Sequence, residues 1–337
     1  MHRSGSSALA GALAALGVGM PAEMLGADAD NPRGHFEPLR VIELNTRLLQ
    51  EARSDWDSCA PFDAARLAPG RLDAYKTEIA TLIGQEFGRS PLFALKDPRI
   101  CRIADLYVEV LGGLGIETRV ILPIRHPSGV ARSLLRRNGM VPGYGQLLWL
   151  GHVLDAERQT RGLRRIVQSY EALLADPAGK LGEAASRLEL NWPRPLGPEA
   201  LQRIVSPKFE RSSKAGPVTV EDAVTPLVSR AYAALRAMEG GEDRTTEFDA
   251  IQAEWIHAIG FAQPLQDELL ARDRRAQERL AHLSAGTAPG SRAELAGRLL
   301  REEGPRYLLA KSLRILRTEG PVRLLQRGLR LFGLGRR

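Results

Sequence analysis

The first residues with chemical potential form the opening loop: Arg3, Ser4, Gly5, Ser6, Ser7 and Ala8. Small residues and a glycine free to adopt positive φ let the backbone turn tightly before an Ala-rich helical stretch that ends at Gly17. The N–H groups at such a helix start, with the hydroxyls and the Arg3 guanidinium, can hold a phosphate or sulfonate. No lysine enters the loop, so it is not a Walker A motif. The sequence therefore predicts an anion site unlike that of an ordinary ATPase or GTPase.

A second anion site is predicted where the apolar segment Thr118–Ile124 ends at Arg125. Ser133 follows eight residues later, two turns into the next helical pattern. An arginine and a serine so placed can converge on one dianion, the arginine giving charge and the serine a hydroxyl donor. The alternative is a turn with solvated arginines, which fits Arg136 and its neighbours. Two such sites together favour a nucleotide with separated phosphates.

The opening residues have an alternative interpretation as an export signal, because Arg3 precedes an uncharged run. The apolar centre of that run, Ala8–Gly19, consists mostly of Ala and Gly. It contains few leucines and no distinct cleavage pattern. We therefore interpret the stretch as a loop and a small-residue helix.

Three short apolar segments predict the strands that would position these loops: Leu92–Leu95, Thr118–Ile124 and Arg165–Tyr170. Helical patterns alternate with them: Val41–Arg53, Arg71–Phe87, Ile103–Leu111, Ser128–Arg137 and Gly145–Thr160. Strands that alternate with helices predict parallel βαβ units. The expected fold is an α/β sandwich with its ligand at the carboxyl ends of the strands.

The net charge of +7 is unevenly distributed along the chain. Residues 265–337 carry 16 basic and 8 acidic side chains, and residues 1–264 carry 31 and 32. A neutral body argues against a broad nucleic-acid face. Composition predicts a globular domain over residues 1–262, then a charged helix and linker over 265–291.

Residues 292–337 predict a basic amphipathic tail of two helices separated by Gly320-Pro321. Cationic faces beside Leu and Phe faces suit an anionic membrane surface. The alternative is a helical pair packed back on the body. The two cysteines, Cys59 and Cys101, lie far apart without metal-ligand spacing, so neither a disulfide framework nor a metal site is expected. A cytoplasmic location follows, with peripheral attachment to the inner membrane face.

The motifs together resemble the bacterial branch of the sulfotransferases that use 3′-phosphoadenosine 5′-phosphosulfate (PAPS). The stretch His2–Leu9 looks like their phosphosulfate loop, and Ile124–Ser133 looks like their 3′-phosphate motif with the same Arg-to-Ser spacing. Further similar segments are Asn31–Glu37, Leu95–Arg99 and Ser169–Pro177. The resemblance covers about residues 1–215. It implies a P-loop NTPase-like, three-layer sandwich with a central parallel sheet, and PAPS as co-substrate.

That resemblance also implies the reaction, which is in-line transfer of a sulfonate group to a hydroxyl or amine of a glycan, lipid-linked or small-molecule acceptor. Arg3 and the loop N–H groups would neutralise the sulfonate and bridging oxygen, and Lys96 could reach the sulfonate. No metal is implied. For the base we expect Glu37 first, with His35 and Asp97 as alternatives. Each has a structural alternative. Glu37 could instead compensate the charge at the start of a helix. His35 could be a loop histidine with no catalytic part, and Asp97 could only hold Arg99 or Lys96 in place.

Lys208 and Arg211 could add contacts to the 3′-phosphate, since the family often returns a basic loop there. A solvated loop is the alternative. Two rival functions stay open on the sequence: a P-loop-like small-molecule kinase, and a non-catalytic nucleotide-binding scaffold that acts through its basic tail.

One departure from the family concerns the central strand that usually leads into the phosphosulfate loop. No residue precedes Met1 here to form that strand. Its absence would leave neighbouring strands with unpaired backbone groups and an apolar gap between them. We therefore expect that the chain is shortened at its start.

Overall fold

The computed structural model describes residues 1–26, 34–88, 90–205 and 225–260, with Glu268 and Arg275 further on. The chain divides into two compact units, which are Met1–Arg136 with Met140–Ile259, and Arg137–Gly139 with Gly260–Arg337. The predicted linker region 265–291 and tail 292–337 lie outside the described residues, apart from those two single positions.

Most of the first unit is helical. The α-helices are α1 Ser6–Ala15, α2 Leu39–Glu51, α3 Arg71–Phe87, α4 Ala104–Gly113, α5 Pro127–Asn138, α6 Pro142–Gln159, α7 Tyr170–Ala175, α8 Pro177–Leu188, α9 Pro198–Ile204 and α10 Pro226–Glu239. Residues 245–260 are also helical. Two 3-10 turns lie at Ala64–Arg66 and Pro98–Arg102.

Two parallel strands form the sheet of the described residues, β1 Arg119–Ile124 and β2 Arg164–Ser169. Their register pairs Ile121 with Ile166 and Ile124 with Ser169. Helices α5 and α6 connect them, which is the crossover that parallel pairing requires. The fold is thus mixed α/β, and both strands lie within one residue of their predicted bounds.

The predicted strand Leu92–Leu95 is wrong as a strand. It is reduced to a single parallel bridge, in which Phe93 pairs with Gly19. Gly19 N–H donates to Leu92 O at 2.9 Å, and Ala94 N–H donates to Gly19 O at 2.9 Å. A strand needs a paired neighbour along its whole length. Among the described residues, only Gly19 pairs with this segment.

The five helices predicted between residues 41 and 160 form, and local chain chemistry sets their ends. Helix α3 has the predicted bounds because Gly70 precedes it with a φ of 77° and Gly88 follows it. Helix α6 begins three residues before its expected start, at Pro142, whose fixed φ suits the first helical turn. The opening helix α1 ends at Ala15, and Gly17 follows with a φ of 84°.

The core is built where helices cover the two strands and each other. One cluster joins both strands to α6 and α10 around fully buried Trp149, and a second joins α2, α3 and α4. A third packs α1 against α7, α8 and α9. This packing fixes α1 and therefore the loop that leads into it. Over the described ranges, no helix has the length and hydropathy needed to cross a membrane.

Candidate functional site

The opening loop turns into α1 through two left-handed residues, Arg3 with a φ of 64° and Gly5 with a φ of 86°. Gly5 caps the helix with its backbone only, and no acidic side chain lies in the first turn. The first N–H groups of a helix have no acceptor within it. The start of α1 therefore presents backbone N–H groups that an anion could accept from.

Gly5 is required by packing as well as by its φ. A Cβ at this position would lie 2.3 Å from Cδ2 of Tyr170, the first residue after β2. The loop thus lies directly on the tyrosine ring. Any larger residue at position 5 would displace the loop from the end of the sheet.

Arg3 connects the loop to the predicted second anion site. Its Nε donates to Oγ of Ser133 at 2.7 Å, across 130 residues of sequence. Arg125 in turn donates from an Nη atom to the Arg3 carbonyl at 3.5 Å. The two sites predicted separately from sequence are therefore neighbours, and Ser133 is only 2% exposed.

The Arg125 side chain is held in place by its surroundings. Its guanidinium carbon lies 4.9 Å from the centre of the Tyr170 ring, in cation–π geometry. A Cβ on Gly129 of α5 would lie 3.2 Å from the Arg125 Nε, so a glycine in the first turn of α5 makes room for it. Arg125 is 8% exposed. These contacts restrict the Arg125 side chain, so its guanidinium is held at the carboxyl end of β1 before any ligand binds.

Lys96 is the centre of a second cluster, beside the first turn of α1. Its Nζ is in hydrogen-bond contact with Oε1 of Glu37, and it donates to the His35 carbonyl at 3.1 Å and to Ser7 Oγ at 3.4 Å. Ser7 Oγ donates to the same His35 carbonyl at 3.3 Å. The first turn of α1 and the segment 34–37 therefore meet at the amine that directly follows residues 92–95, here called the Phe93 segment.

The Lys96–Glu37 ion pair is shielded from water. The lysine side chain is 12% exposed and the glutamate side chain 6%. Burial lowers the pKa of Lys96, and the neighbouring Glu37 carboxylate opposes that shift. A buried amine and carboxylate beside a set of anion donors can exchange partners when a charged ligand arrives.

The segment that carries Glu37 is fixed by backbone contacts. Phe36 adopts a φ of 54°, and its ring lies where a Cβ on Gly11 of α1 would meet it at 3.2 Å. The Glu37 carbonyl accepts from Leu25 N–H at 2.8 Å. Helix α2 begins only at Leu39, with Pro38 at its N-cap, so Glu37 precedes the helix rather than starting it.

Asp97 has a structural role that sets it apart from the other base candidates. It accepts from Asn45 Nδ2 at 2.8 Å and from the Arg99 guanidinium at 2.9 Å, and it caps the following 3-10 turn. Its side chain is 0% exposed. Tyr107 completes the network by donating to Asn45 at 2.8 Å. This geometry disfavours Asp97 as a base, because its oxygens are already engaged.

The geometry brings together most of the predicted site residues around the start of α1. These are Arg3, Ser4, Gly5, Ser6, Ser7, Ala8, Glu37, Lys96, Arg125 and Ser133. His35 contributes its backbone carbonyl. Lys208 and Arg211 lie outside the described residues, as do Asn31, Pro32 and Arg33 of the similar segment.

Sequence reasoning missed Tyr170 and Asn45 as site residues. Tyr170 touches both Gly5 and Arg125, and Asn45 positions Asp97 from α2. The signal for Tyr170 was its place at the carboxyl end of a predicted strand, where ligands of parallel sheets bind. Asn45 gave a weaker signal, since it is a polar residue on the otherwise apolar buried face of α2.

Over the described part of the chain, no three His, Cys, Asp or Glu side chains are grouped closely enough to hold a metal ion. Comparison of the chain with models of protein families, with curated proteins and with solved structures returned no match.

Proposed function

We propose that this protein is a PAPS-dependent sulfotransferase. The observation that carries the proposal is the 2.7 Å hydrogen bond from Arg3 to Ser133, which unites the two predicted anion sites. A donor nucleotide with a phosphosulfate at one end and a 3′-phosphate at the other needs two such sites at a fixed separation. The opening loop supplies one and the end of β1 supplies the other.

Donor binding would use both clusters at once. Arg125 and Ser133 give a guanidinium and a hydroxyl to the 3′-phosphate. The N–H groups that begin α1, the hydroxyls of Ser6 and Ser7, and Arg3 surround the phosphosulfate. The burial of Arg125 and Ser133 and the partial burial of Arg3, Ser6 and Ser7 support this assignment, because electrostatic interactions strengthen where water is excluded.

For the transfer step, we assign complementary roles to Lys96 and Glu37. The acceptor oxygen or nitrogen forms a bond to sulfur, the bond between sulfur and the bridging phosphate oxygen breaks, and adenosine 3′,5′-bisphosphate departs. Lys96 exchanges its contact with Glu37 for the sulfonate oxygens and neutralises their charge. Glu37, released from the lysine, takes the acceptor proton. The contact between their side chains supports such an exchange.

The finer architecture that we propose is a three-layer sandwich around a central parallel sheet. Two pieces of such a sheet support it: β1 beside β2, and the Phe93 segment beside Gly19. Lys96 and Arg125 each follow one of these pieces directly. The clustering of their side chains around α1 is what a shared carboxyl edge predicts.

The acceptor we propose is a hydroxyl or amine of a glycan, lipid-linked or small molecule, modified in the cytoplasm. A basic tail that binds an anionic inner membrane face would bring the enzyme to such acceptors. No nucleic-acid partner belongs to this proposal.

Thermal unfolding with added ligands tests the function. We expect adenosine 3′,5′-bisphosphate to raise the Tm in a concentration-dependent way, because a ligand that binds only the folded state stabilises it. Adenosine 5′-monophosphate, which lacks the 3′-phosphate, is the matched control ligand and should give a much smaller shift. Stabilisation by ATP with Mg²⁺ and indifference to the bisphosphate would instead identify a kinase and overturn the proposal.

A further inference from the structure

The segment 34–37 follows an unusual backbone path beside α1. Gly34 has a φ of 87° and Phe36 a φ of 54°. Left-handed backbone suits glycine, whereas residues with bulky side chains rarely adopt it. A residue held in that region stores strain, which persists only where surrounding contacts fix the conformation. Phe36 lies between the carbonyl of residue 35 and the Glu37 carboxylate, which both contact Lys96 Nζ, so its conformation bears directly on the Lys96–Glu37 ion pair.

One face of α1 holds this segment. Ser7 and Gly11 are four residues apart in the helix and therefore lie on the same face. Ser7 Oγ donates to the His35 carbonyl at 3.3 Å. One turn further along, a Cβ added at Gly11 would lie 3.2 Å from both Cε2 and Cζ of the Phe36 ring. The ring therefore rests on the bare backbone of Gly11, at a distance that an added methyl group would disturb.

Backbone hydrogen bonds fix the residues on either side of Phe36. Leu25 N–H donates to the Glu37 carbonyl at 2.8 Å, and His35 N–H donates to the Leu25 carbonyl at 3.3 Å. These bonds do not involve the Phe36 ring. The contact of the ring with Gly11 is therefore a separate link between this segment and α1, and it can be altered while the backbone bonds stay in place.

We propose that Phe36 is a positioning residue for Glu37. Its ring, seated on Gly11, sets the contact between the Glu37 carboxylate and the Lys96 amine. The left-handed turn at Phe36 lets the carbonyl before it and the carboxylate after it reach the same Nζ. Because the start of α1 also forms part of the proposed donor site, one helix aligns both the donor and the base. The catalytic part of this inference rests on the proposed function, whereas the control of the ion pair does not.

The main alternative is that the Phe36 ring only fills space against α1. In that case, changes at the ring would alter the stability of the fold without a selective effect on the contact between Lys96 and Glu37. A positioning ring must instead change that contact whenever the surface beneath it changes shape. The coupling energy from a double-mutant cycle of Lys96→Met and Glu37→Gln measures the contact.

Gly11→Ala tests the position of the ring, since it adds one methyl group beneath it. Alanine is favoured in a helix interior, so the helix itself should not be weakened. We expect the coupling energy between Lys96 and Glu37 to fall by about half or more in the Gly11→Ala background. The matched control is Gly84→Ala in α3, where an added Cβ has nothing within 4 Å. It should leave the coupling energy unchanged, and equal coupling energies in the two backgrounds would overturn the proposal.

A compensating variant separates positioning from general damage to α1. Phe36→Leu removes the ring atoms that would meet the added Cβ at position 11. The combination of Gly11→Ala with Phe36→Leu should therefore show a larger coupling energy between Lys96 and Glu37 than Gly11→Ala alone. A combination no better than Gly11→Ala alone would show that the ring does not transmit the effect, and would overturn the proposal.

Kinetics and ligand binding connect the positioning role to the proposed reaction. For an acceptor on which the wild type acts, Gly11→Ala should lower kcat about 10- to 100-fold, because a small displacement of the base is costly. Its Kd for adenosine 3′,5′-bisphosphate should stay within about twofold of the wild-type value. An unchanged kcat would overturn the positioning role. No bisphosphate binding by the wild type would instead refute the proposed function, and the coupling energies would still decide the role of Phe36.

Discussion

The guanidinium of Arg3 donates to the hydroxyl of Ser133 at 2.7 Å, although 130 residues separate them. The bond runs from a loop before α1 to the middle of α5. It places the phosphosulfate and 3′-phosphate sites of the proposed donor at a fixed separation. A change to either the loop or α5 should therefore affect binding at both sites.

Replacing Gly5 should disrupt the loop more than its backbone angle alone explains. We expect Gly5→Ala to lower the free energy of unfolding by about 2–4 kcal/mol, because a Cβ there would lie 2.3 Å from the Tyr170 ring and the φ is 86°. Denaturant unfolding measures the effect. The matched control is Gly70→Ala, which also has positive φ at a helix N-cap but nothing within 4 Å of the added Cβ. It should cost only about 1 kcal/mol, and equal losses would refute the packing argument.

The Lys96–Glu37 pair should show strong energetic coupling. Lys96→Met leaves a buried carboxylate without its partner and should destabilise the protein by about 3 kcal/mol. Adding Glu37→Gln should recover part of that loss, which a double-mutant cycle measures.

The comparison pair is Arg47–Glu78, whose side chains are far more exposed. Glu78→Gln should change stability by less than about 1 kcal/mol. Strictly additive effects of Lys96→Met and Glu37→Gln would show that the contact does not couple the two residues.

Sequence predicted those parts of the fold that depend on local chemistry. Helix α3 has its predicted bounds because glycines flank an amphipathic run. The segment Leu92–Leu95 has the composition of a strand yet forms one bridge, because strand formation depends on neighbours that a local pattern cannot specify.

In the candidate site, too, some features follow from local sequence and others only from tertiary packing. Residue types and spacing were enough to select Arg3, Arg125 and Ser133, because an anion site needs those groups. The contact of Lys96 with Glu37, 59 residues away, and the burial of Asp97 against Asn45 depend on how helices pack. Such partners carry no local sequence signal, so Asp97 could not be separated from Glu37 as a base.

Glu37 and Asp97 should be distinguishable by kinetics. For an acceptor on which the wild type acts, we expect Glu37→Gln to lower kcat by about 10²–10⁴-fold, because the base is lost. Asp97→Asn should instead destabilise the fold by about 2–4 kcal/mol, while the folded fraction keeps a kcat close to that of the wild type. A fall in kcat in Asp97→Asn alone would reverse the assignment.

Stability should fall as the solution is acidified, because of His152. Burial and the neighbouring Arg102 hold the pKa of this imidazole well below its ordinary value of 6.5. Near pH 6.5 the unfolded chain therefore binds a proton that the folded protein does not, and stability is lost as the pH falls. The pKa of His126 is also lowered by burial and acts in the same direction.

Burial raises the pKa of Asp155, beside Arg102, to about 6. The folded protein therefore binds this proton more tightly than the unfolded chain, and the contribution of Asp155 to stability rises as the pH falls towards and below 6. Between pH 7.5 and 6 the loss of stability from His152 exceeds the gain from Asp155, whose carboxyl is half protonated only at the lower limit. There we expect His152 to account for a loss of about 1 kcal/mol, absent in His152→Gln and retained in a His257→Gln control. Chemical denaturation across that window measures it, and an unchanged slope in His152→Gln would contradict the account.

The central claim is that Arg125 and the opening loop bind one nucleotide through its two separate anionic groups. Calorimetric titration with adenosine 3′,5′-bisphosphate tests it most directly. Arg125→Ala should raise the Kd about 10- to 100-fold, because a charge-assisted hydrogen bond to a phosphate is lost. Arg136→Ala removes the same charge from an exposed position on α5 and should leave the Kd unchanged. No binding to the wild type, or equal Kd values for the two variants, would contradict the proposed sulfotransferase site.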